Sequence, residues 1–346
     1  MGILENVLLG FGTALTPANL FYCLVGCFVG TLIGVLPGIG PLATLSMLLP
    51  ITYKIDATGS IIMLSGIFYG SMYGGSTTSV LVNIPGEAAS VVTCMDGYQM
   101  ARQGRAGLAL GIAAIGSFIA GTISTVGLNL LSPLLVKVAL KFGPPEYFAV
   151  MTLGFVATMF VIGGSRLKAF LMLCLGLFVS CIGLDTVSGA QRFTFGIPNL
   201  MNGADLVAVI MGMFGVSEIL LNMEETENRE IYTTSIGRIL PNREEMRAAL
   251  MPITRGSVLG FFLGLLPGAG NVTSSFLSYG IERRLSKHPE RFGKGAIEGV
   301  AGPESANNAA VAGSMIPLLS LGLPGAPVTA VLMGALIIHG VQPGPL

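Results

Sequence analysis

Gly34-Val-Leu-Pro-Gly-Ile-Gly40 interrupts one apolar run, and Gly264-Leu-Leu-Pro-Gly-Ala-Gly270 interrupts another. Each interruption is followed by small hydroxylated residues, Thr44 and Ser46 in the first and Thr273, Ser274 and Ser275 in the second. Proline and glycine together stop a helix, because one lacks the N–H and the other the side chain that would hold it. The same break at corresponding places in two apolar segments is the strongest pointer from sequence to a binding site in a helical transporter.

The surroundings of these breaks set the class. Of 346 residues, 52% are hydrophobic and 10% charged, and mean hydropathy is +0.77. A soluble domain carries about 25% charged residues, so the composition predicts an all-α polytopic membrane protein. The 49 glycines and 19 prolines suit membrane helices that approach closely through small residues. Trp is absent, so an interfacial belt would fall to Tyr53, Tyr98, Tyr147 and Phe. Net charge is zero and no basic cluster alternates with aromatics, which argues against nucleic acid as a partner. No Lys or Arg precedes Lys54, so the N-terminus is not expected to be a cleaved leader. The five cysteines are scattered, and Cys23 and Cys27 share a helix face without an accompanying His or acid. They read as packing thiols, with no metal site beyond Na⁺ at the breaks.

A second pair of breaks follows in order. Asn83-Ile-Pro-Gly86 ends the small-residue run Gly70 to Ser79, and Gly322-Leu-Pro-Gly325 interrupts the apolar run after Gly302-Pro-Glu-Ser-Ala-Asn-Asn308. The first breaks are offset by 230 residues and the second by 239, which predicts an internal repeat. The expected organisation is a first repeat over 1–105, plain transmembrane helices over 106–221, a charged connector over 222–255 and a second repeat over 256–346. The connector, with Arg229, Arg238, Arg243, Arg247, Arg255 and six Glu, reads as a solvated cytoplasmic helix and loop. Ten of the 18 Lys and Arg lie in 222–255 and 281–294, both flanks of the second tip. The positive-inside rule places those flanks in the cytoplasm. The first tip is flanked only by Lys54, Glu5 and Asp56. Inverted repeats with re-entrant or broken helices at the Pro-Gly tips are the expectation.

A broken helix leaves N–H and C=O groups that lipid cannot satisfy, so the break must face protein, water or ligand. The restarting helix offers N–H groups and a partial positive charge to an anion. The ending helix offers carbonyls to Na⁺. The candidate substrate-binding residues are Pro37, Gly38, Gly40 and Thr44 at the first tip, and Pro267, Gly268, Gly270, Asn271, Thr273 and Ser274 at the other. Ser76, Thr77, Thr78, Asn83, Pro85 and Gly86, with Asn307, Asn308, Pro324 and Gly325, complete the set around the second breaks. Close helix packing is the competing reading for the glycines. Glu87 and Glu304 sit beside breaks and are candidates for coupling to H⁺ or another cation; solvated interfacial acids are the alternative. Gly268-Ala-Gly-Asn-Val-Thr-Ser274 lacks the lysine of a phosphate loop. No cofactor is expected.

At Gly34–Gly40, at Tyr69-Gly-Ser-Met-Tyr-Gly-Gly-Ser-Thr-Thr-Ser79, Asn83–Gly86 and Asp96-Gly-Tyr98, and at Gly264–Gly270 and Gly322–Gly325, the chain resembles the large membrane subunit (TctA) of the tripartite tricarboxylate transporter family. The resemblance covers essentially the whole chain and implies a multi-pass permease subunit in a bacterial inner membrane. It implies import of tricarboxylates or related organic carboxylates driven by a cation gradient, without ATP. It also implies a small membrane subunit and a periplasmic solute-binding protein as partners; association of copies of the chain is compatible with it. Members extend past the second repeat, so the second repeat is expected to be truncated here. Two rival readings stand beside this one: an intramembrane aspartyl hydrolase using Asp185 and Asp205, and a scaffold subunit that carries no transport site.

Overall fold

A computed structural model describes residues 3–36, 40–141, 143–161, 165–184, 190–204, 208–209, 211–217, 220, 223, 236–266 and 270–344. Twelve α-helices lie among them. The first half holds α1 (Ile3–Ala14), α2 (Pro17–Gly34), α3 (Pro41–Leu48), α4 (Ala57–Val82) and α5 (Val91–Arg102). Then come α6 (Ala106–Ala139), α7 (Pro144–Val161) and α8 (Arg166–Ser180), and a short antiparallel ribbon pairing Gly183–Leu184 with Gln191–Arg192. The second half holds α9 (Arg243–Gly264), α10 (Gly270–Leu285), α11 (Glu298–Leu321) and α12 (Pro327–Ile338). Pro37, Gly38, Pro267, Gly268, Asp185 and Asp205 lie outside the described residues.

Helix ends follow the local chemistry. The Asp56 side chain caps α4 by accepting from Thr58 N and Gly59 N, both at 3.1 Å. Asn242 caps α9 by accepting from Glu245 N at 2.8 Å, and Glu245 Oε2 accepts Asn242 N at 2.7 Å. This reciprocal box satisfies two orphan donors at once, and it starts α9 inside the charged stretch. The helix therefore runs across residue 255, where the change in composition suggested a boundary. Two described helices are long and apolar enough to cross a bilayer, Pro17–Gly34 and Ala106–Lys137.

The packing displays the two offsets residue by residue. In the first half Gly26, Gly30 and Gly34 of α2 lie directly against the backbone of Met63, Ile67 and Ser71 of α4. In the second half Gly256, Gly260 and Gly264 of α9 lie against Gly302, Ala306 and Ala310 of α11. Every α2 position is 230 residues from its α9 counterpart, and every α4 position 239 from its α11 counterpart. A Cβ at any of these six glycines of α2 and α9 would overlap a facing backbone atom, so the spacing of four residues is imposed by backbone contact. Asn83 and Gly322, again 239 apart, both terminate their helices in the left-handed region, at φ +59° and +69°. Ile84 N then donates to Thr78 O at 3.4 Å and Leu323 N to Pro317 O at 3.2 Å. The next turn also matches: Glu87 N donates to Ser90 Oγ, and Ala326 N to Thr329 Oγ1.

The two halves share one interior. α11 is buried along most of its length between α9, α6, α10 and α5. Leu45, Leu64, Ile67, Phe68 and Met72 of the first half pack with Val311, Leu318, Val331 and Leu332 of the second. α9 and α10 form a hairpin whose two arms are bridged by Arg255 and the buried Glu282, with Nε donating to Oε1 at 2.8 Å and a second guanidinium N–H to Oε2. Composition placed these two residues in a solvated connector and a basic loop. They pair because one stands twelve residues before the tip and the other a similar distance after it.

Candidate functional site at the junction of the two halves

The polar centre of the molecule is built on α11. Glu304, 2% exposed, points at α4 and α5. Ser76 Oγ lies 2.8 and 2.9 Å from the two carboxylate oxygens, and Thr93 of α5 donates its hydroxyl to Oε1. One turn further along α11, Asn307 Nδ2 donates to Glu87 Oε1 at 3.0 Å. Asn307 is 1% exposed, and its Oδ1 has no hydrogen-bond partner among the described residues. Asn308 turns the other way, with Nδ2 donating to Ser117 Oγ of α6 at 2.7 Å and to Glu304 O at 2.9 Å. Both carboxyl groups therefore sit among hydroxyls and amides contributed by both halves, which is how buried acids are accommodated.

The break in the first half abuts this cluster. Gly86 packs against the Gly75 backbone, and a Cβ there would stand 2.6 Å from Gly34 O. The Glu87 backbone and side chain crowd Gly75 in turn. Gly325 occupies the matching place against Gly264 O and Ser314 O, with more room. Thus in each half the Pro-Gly of the second break touches the carbonyl end of the helix that precedes the first tip.

The restart of α10 lies close by. Asn271 Nδ2 approaches Met72 Sδ at 3.6 Å, and Ser275 Oγ lies 3.4 Å from Pro303 O. Met72 is one turn from Ser76, and Pro303 adjoins Glu304. The N-terminal turn of α10 is therefore set beside the carboxylate cluster. An apolar cavity of about 790 Å³ opens on the far side of Asn308, lined by Tyr69, Tyr73, Ser117, Phe118 and Asn129 among others.

Of the residues anticipated from sequence, Ser76, Glu87, Glu304, Asn307 and Asn308 meet through hydrogen bonds, and Asn271 is next to them. Thr44, Thr77, Thr78 and Ser274 instead donate to carbonyls of their own helices, the usual resting place of a helical hydroxyl. Gly40, Gly270 and Thr273 sit at the two restarts, half-buried; Asn83, Pro85 and Pro324 shape the second breaks. Thr93 and Ser117 escaped the sequence reading, since both lie outside the breaks. Thr93 stands one helical turn before Asp96 of the noted Asp-Gly-Tyr motif, and that spacing was the available signal. Asp96 itself is fully buried and accepts Gly295 N and Ala296 N, each at 2.8 Å, and the Tyr279 hydroxyl at 2.9 Å. It fastens α5, and so Thr93, to the start of α11.

Discontinuous helices, glycine-mediated backbone contacts and a buried carboxylate–amide centre define a helical membrane protein of transporter type. Comparison with known families is decisive at the next level: residues 20–346 match the tripartite tricarboxylate transporter TctA family, and the chain belongs to it. The family is membrane-integral, is a family of transporters and not of enzymes, and works in a tripartite system with other subunits. The chain is 53% identical over 345 residues to an Agrobacterium vitis protein described as "Uncharacterized 52.8 kDa protein in TAR-I ttuC' 3'region", covering 100% of this chain and 69% of that one. It is 62% identical over 86 residues to a second from the same organism, "Uncharacterized protein in TAR-II ttuC' 3'region", covering 25% of this chain and 36% of the other. No solved structure matches.

Proposed function

We propose that this TctA-family subunit moves organic carboxylates, tricarboxylates among them, across a bacterial inner membrane as a multi-pass permease driven by a cation gradient. One observation carries the reading: the restart of α10 stands against Met72 and Pro303, directly beside the Ser76–Thr93–Glu304 cluster. A substrate carboxylate would be met by the N–H groups of that restart, with Asn271 and Thr273 at hand. The corresponding restart of α3 at Gly40 and Pro41 would meet a second carboxylate. The Pro-Gly tips and second breaks shape this space, and the buried acids next to it answer to the driving cation.

In this reading the repeats are inverted, with the tips entering from opposite faces and the charged flanks of the α9–α10 hairpin in the cytoplasm. The Arg255–Glu282 bridge supports a hairpin with both ends on one side. The units 1–105 and 256–346 would carry the site and rock against the helices of 106–221, while 222–255 connects them. A periplasmic binding protein would deliver substrate, and a small membrane subunit would complete the complex. The aspartyl-hydrolase alternative falls with the family, and the polar junction of the two halves speaks against a scaffold without a site.

Uptake of isotope-labelled citrate and related carboxylates into vesicles holding the assembled complex tests the function. Accumulation that collapses when the cation gradient is dissipated is expected; gradient-independent or absent uptake across the carboxylates counts against it. A reporter active only in the cytoplasm, fused after Asp56, should be silent if the first tip enters from the outer face.

A further inference from the structure

Resting on that reading, we infer that Glu304, Ser76, Thr93, Asn307 and Glu87 form a binding site for a dehydrated alkali-metal cation, with Na⁺ the ion to test. Three observations converge on it. First, the available ligands are hard oxygens: the Glu304 carboxyl group with the Ser76 and Thr93 hydroxyls on it, and, one helical turn along α11, the Asn307 amide that holds the Glu87 carboxyl group. Hard oxygen donors suit alkali and alkaline-earth ions and not the softer metals. Second, Asn307 Oδ1 is a buried acceptor that meets no donor among the described residues, on the same amide whose Nδ2 holds Glu87. A buried carbonyl oxygen in that state costs free energy unless something positive meets it. Third, among the described residues neither Glu87 nor Glu304 is paired with a Lys or Arg; the described ion pairs are Arg238–Glu245, Arg255–Glu282 and His288–Glu290.

The donor set fits Na⁺ and Ca²⁺ alike: two carboxyl groups, two hydroxyls and one amide carbonyl offer up to about seven oxygens, within the about 6–8 that Ca²⁺ takes, so the test sets the two ions against each other. The ligands come from α4, α5 and the segment after Gly86 on one side and from α11 on the other. A bound cation therefore joins the first half to the second. By linkage, its occupancy and the relative position of the halves must influence each other. The α10 restart adjoins the same cluster, so a carboxylate held there would lie next to the cation and gain from its charge.

The test uses the purified chain alone, with neither substrate nor partner subunits. Because the chain has no Trp, heat denaturation is followed by far-ultraviolet circular dichroism. NaCl is compared with choline chloride, KCl, LiCl and CaCl₂ at equal ionic strength. The site predicts a saturable rise of several degrees in midpoint with Na⁺ over choline. Glu304→Gln and Asn307→Ala should each weaken the half-saturating Na⁺ concentration at least tenfold. Ser65→Ala, at the position 239 residues before Glu304, should leave it unchanged. If Glu304→Gln does not fold, Thr93→Val keeps the side-chain shape, removes one oxygen and should also weaken Na⁺. Equal midpoints in Na⁺ and choline, a response to Ca²⁺ alone, or variants that keep the wild-type Na⁺ response would overturn the proposal. Uptake assays separate the two readings. A Na⁺ response without carboxylate uptake removes the transport function and leaves the site; uptake without a Na⁺ response removes the site and leaves the function.

Discussion

The α2–α4 unit and the α9–α11 unit have the same backbone skeleton and opposite chemistry. Their glycine contacts, left-handed helix ends and following turns coincide at constant offsets. Their polar side chains do not. The counterparts of Glu304, Asn307 and Asn308 in the first half are Ser65, Phe68 and Tyr69. The counterparts of Ser76, Glu87 and Thr93 in the second are Met315, Ala326 and Leu332. Each unit supplies half of one asymmetric centre. The backbone had to be kept because helices this close tolerate no side chain between them. The side chains were free to diverge wherever they meet across the junction.

The comparison breaks first at the shared skeleton. Gly30→Val and Gly260→Val place a branched side chain on the backbone of Ile67 and Ala306. Both should cost at or above the about 3 kcal/mol upper range of overpacking and abolish folded protein on size-exclusion chromatography. If only one is lethal to folding, the units are not equivalent. Next is an interaction the second unit has alone. Arg255 and Glu282 correspond to Val25 and Thr52. Arg255→Ala strands a carboxylate that is 2% exposed. Because the arginine is 37% exposed, the cost falls toward the lower end for broken buried pairs, about 3 kcal/mol, read as a lowered melting midpoint.

The chemical asymmetry is sharpened by Glu304 and Ser65. Glu304→Ala should lower carboxylate uptake by about 100-fold, about 2.7 kcal/mol, while Ser65→Ala should stay within about twofold of wild type. Labelled uptake into vesicles at equal protein density decides it. The smallest effect concerns the helix ends. Gly322→Ala puts a Cβ into a left-handed position and 2.7 Å from Pro343 O, and should destabilise by at least about 1–2 kcal/mol. Asn83→Gly, which gives the first unit the second unit's residue, should change stability by about 1 kcal/mol or less. Paired thermal melts of the two variants measure the difference.

Much of this was legible along the chain. The tips, the second breaks and their offsets are written in prolines and glycines, whose effect on the backbone is local. Glu87, Glu304 and the adjacent amides stood out because charge is scarce in an apolar chain. The partners of Glu304 were harder. Ser76 is one of several hydroxyls on α4; like Thr77 and Thr78 it reaches a carbonyl of its own helix, Met72 O at 3.1 Å, and only the facing Glu304 sets it apart. Thr93 lies 211 residues from the carboxylate it meets. Arg255 and Glu282 were read by composition as solvated, since the stretches around them are charged. α9 begins at the Asn242 cap and brings a partly exposed Arg255 against a buried glutamate, so the correction falls on Glu282.

By itself the sequence determined the helical membrane class, the places where helices break and the twofold recurrence of those breaks. Each follows from the properties of single residues or short spacings: low charge, missing N–H groups, missing side chains. Only the tertiary structure decided which polar groups share a centre. That depends on two units meeting across α11, where a hydroxyl from α4, another from α5 and a glutamate from α11 are buried together and hydrogen-bond one another.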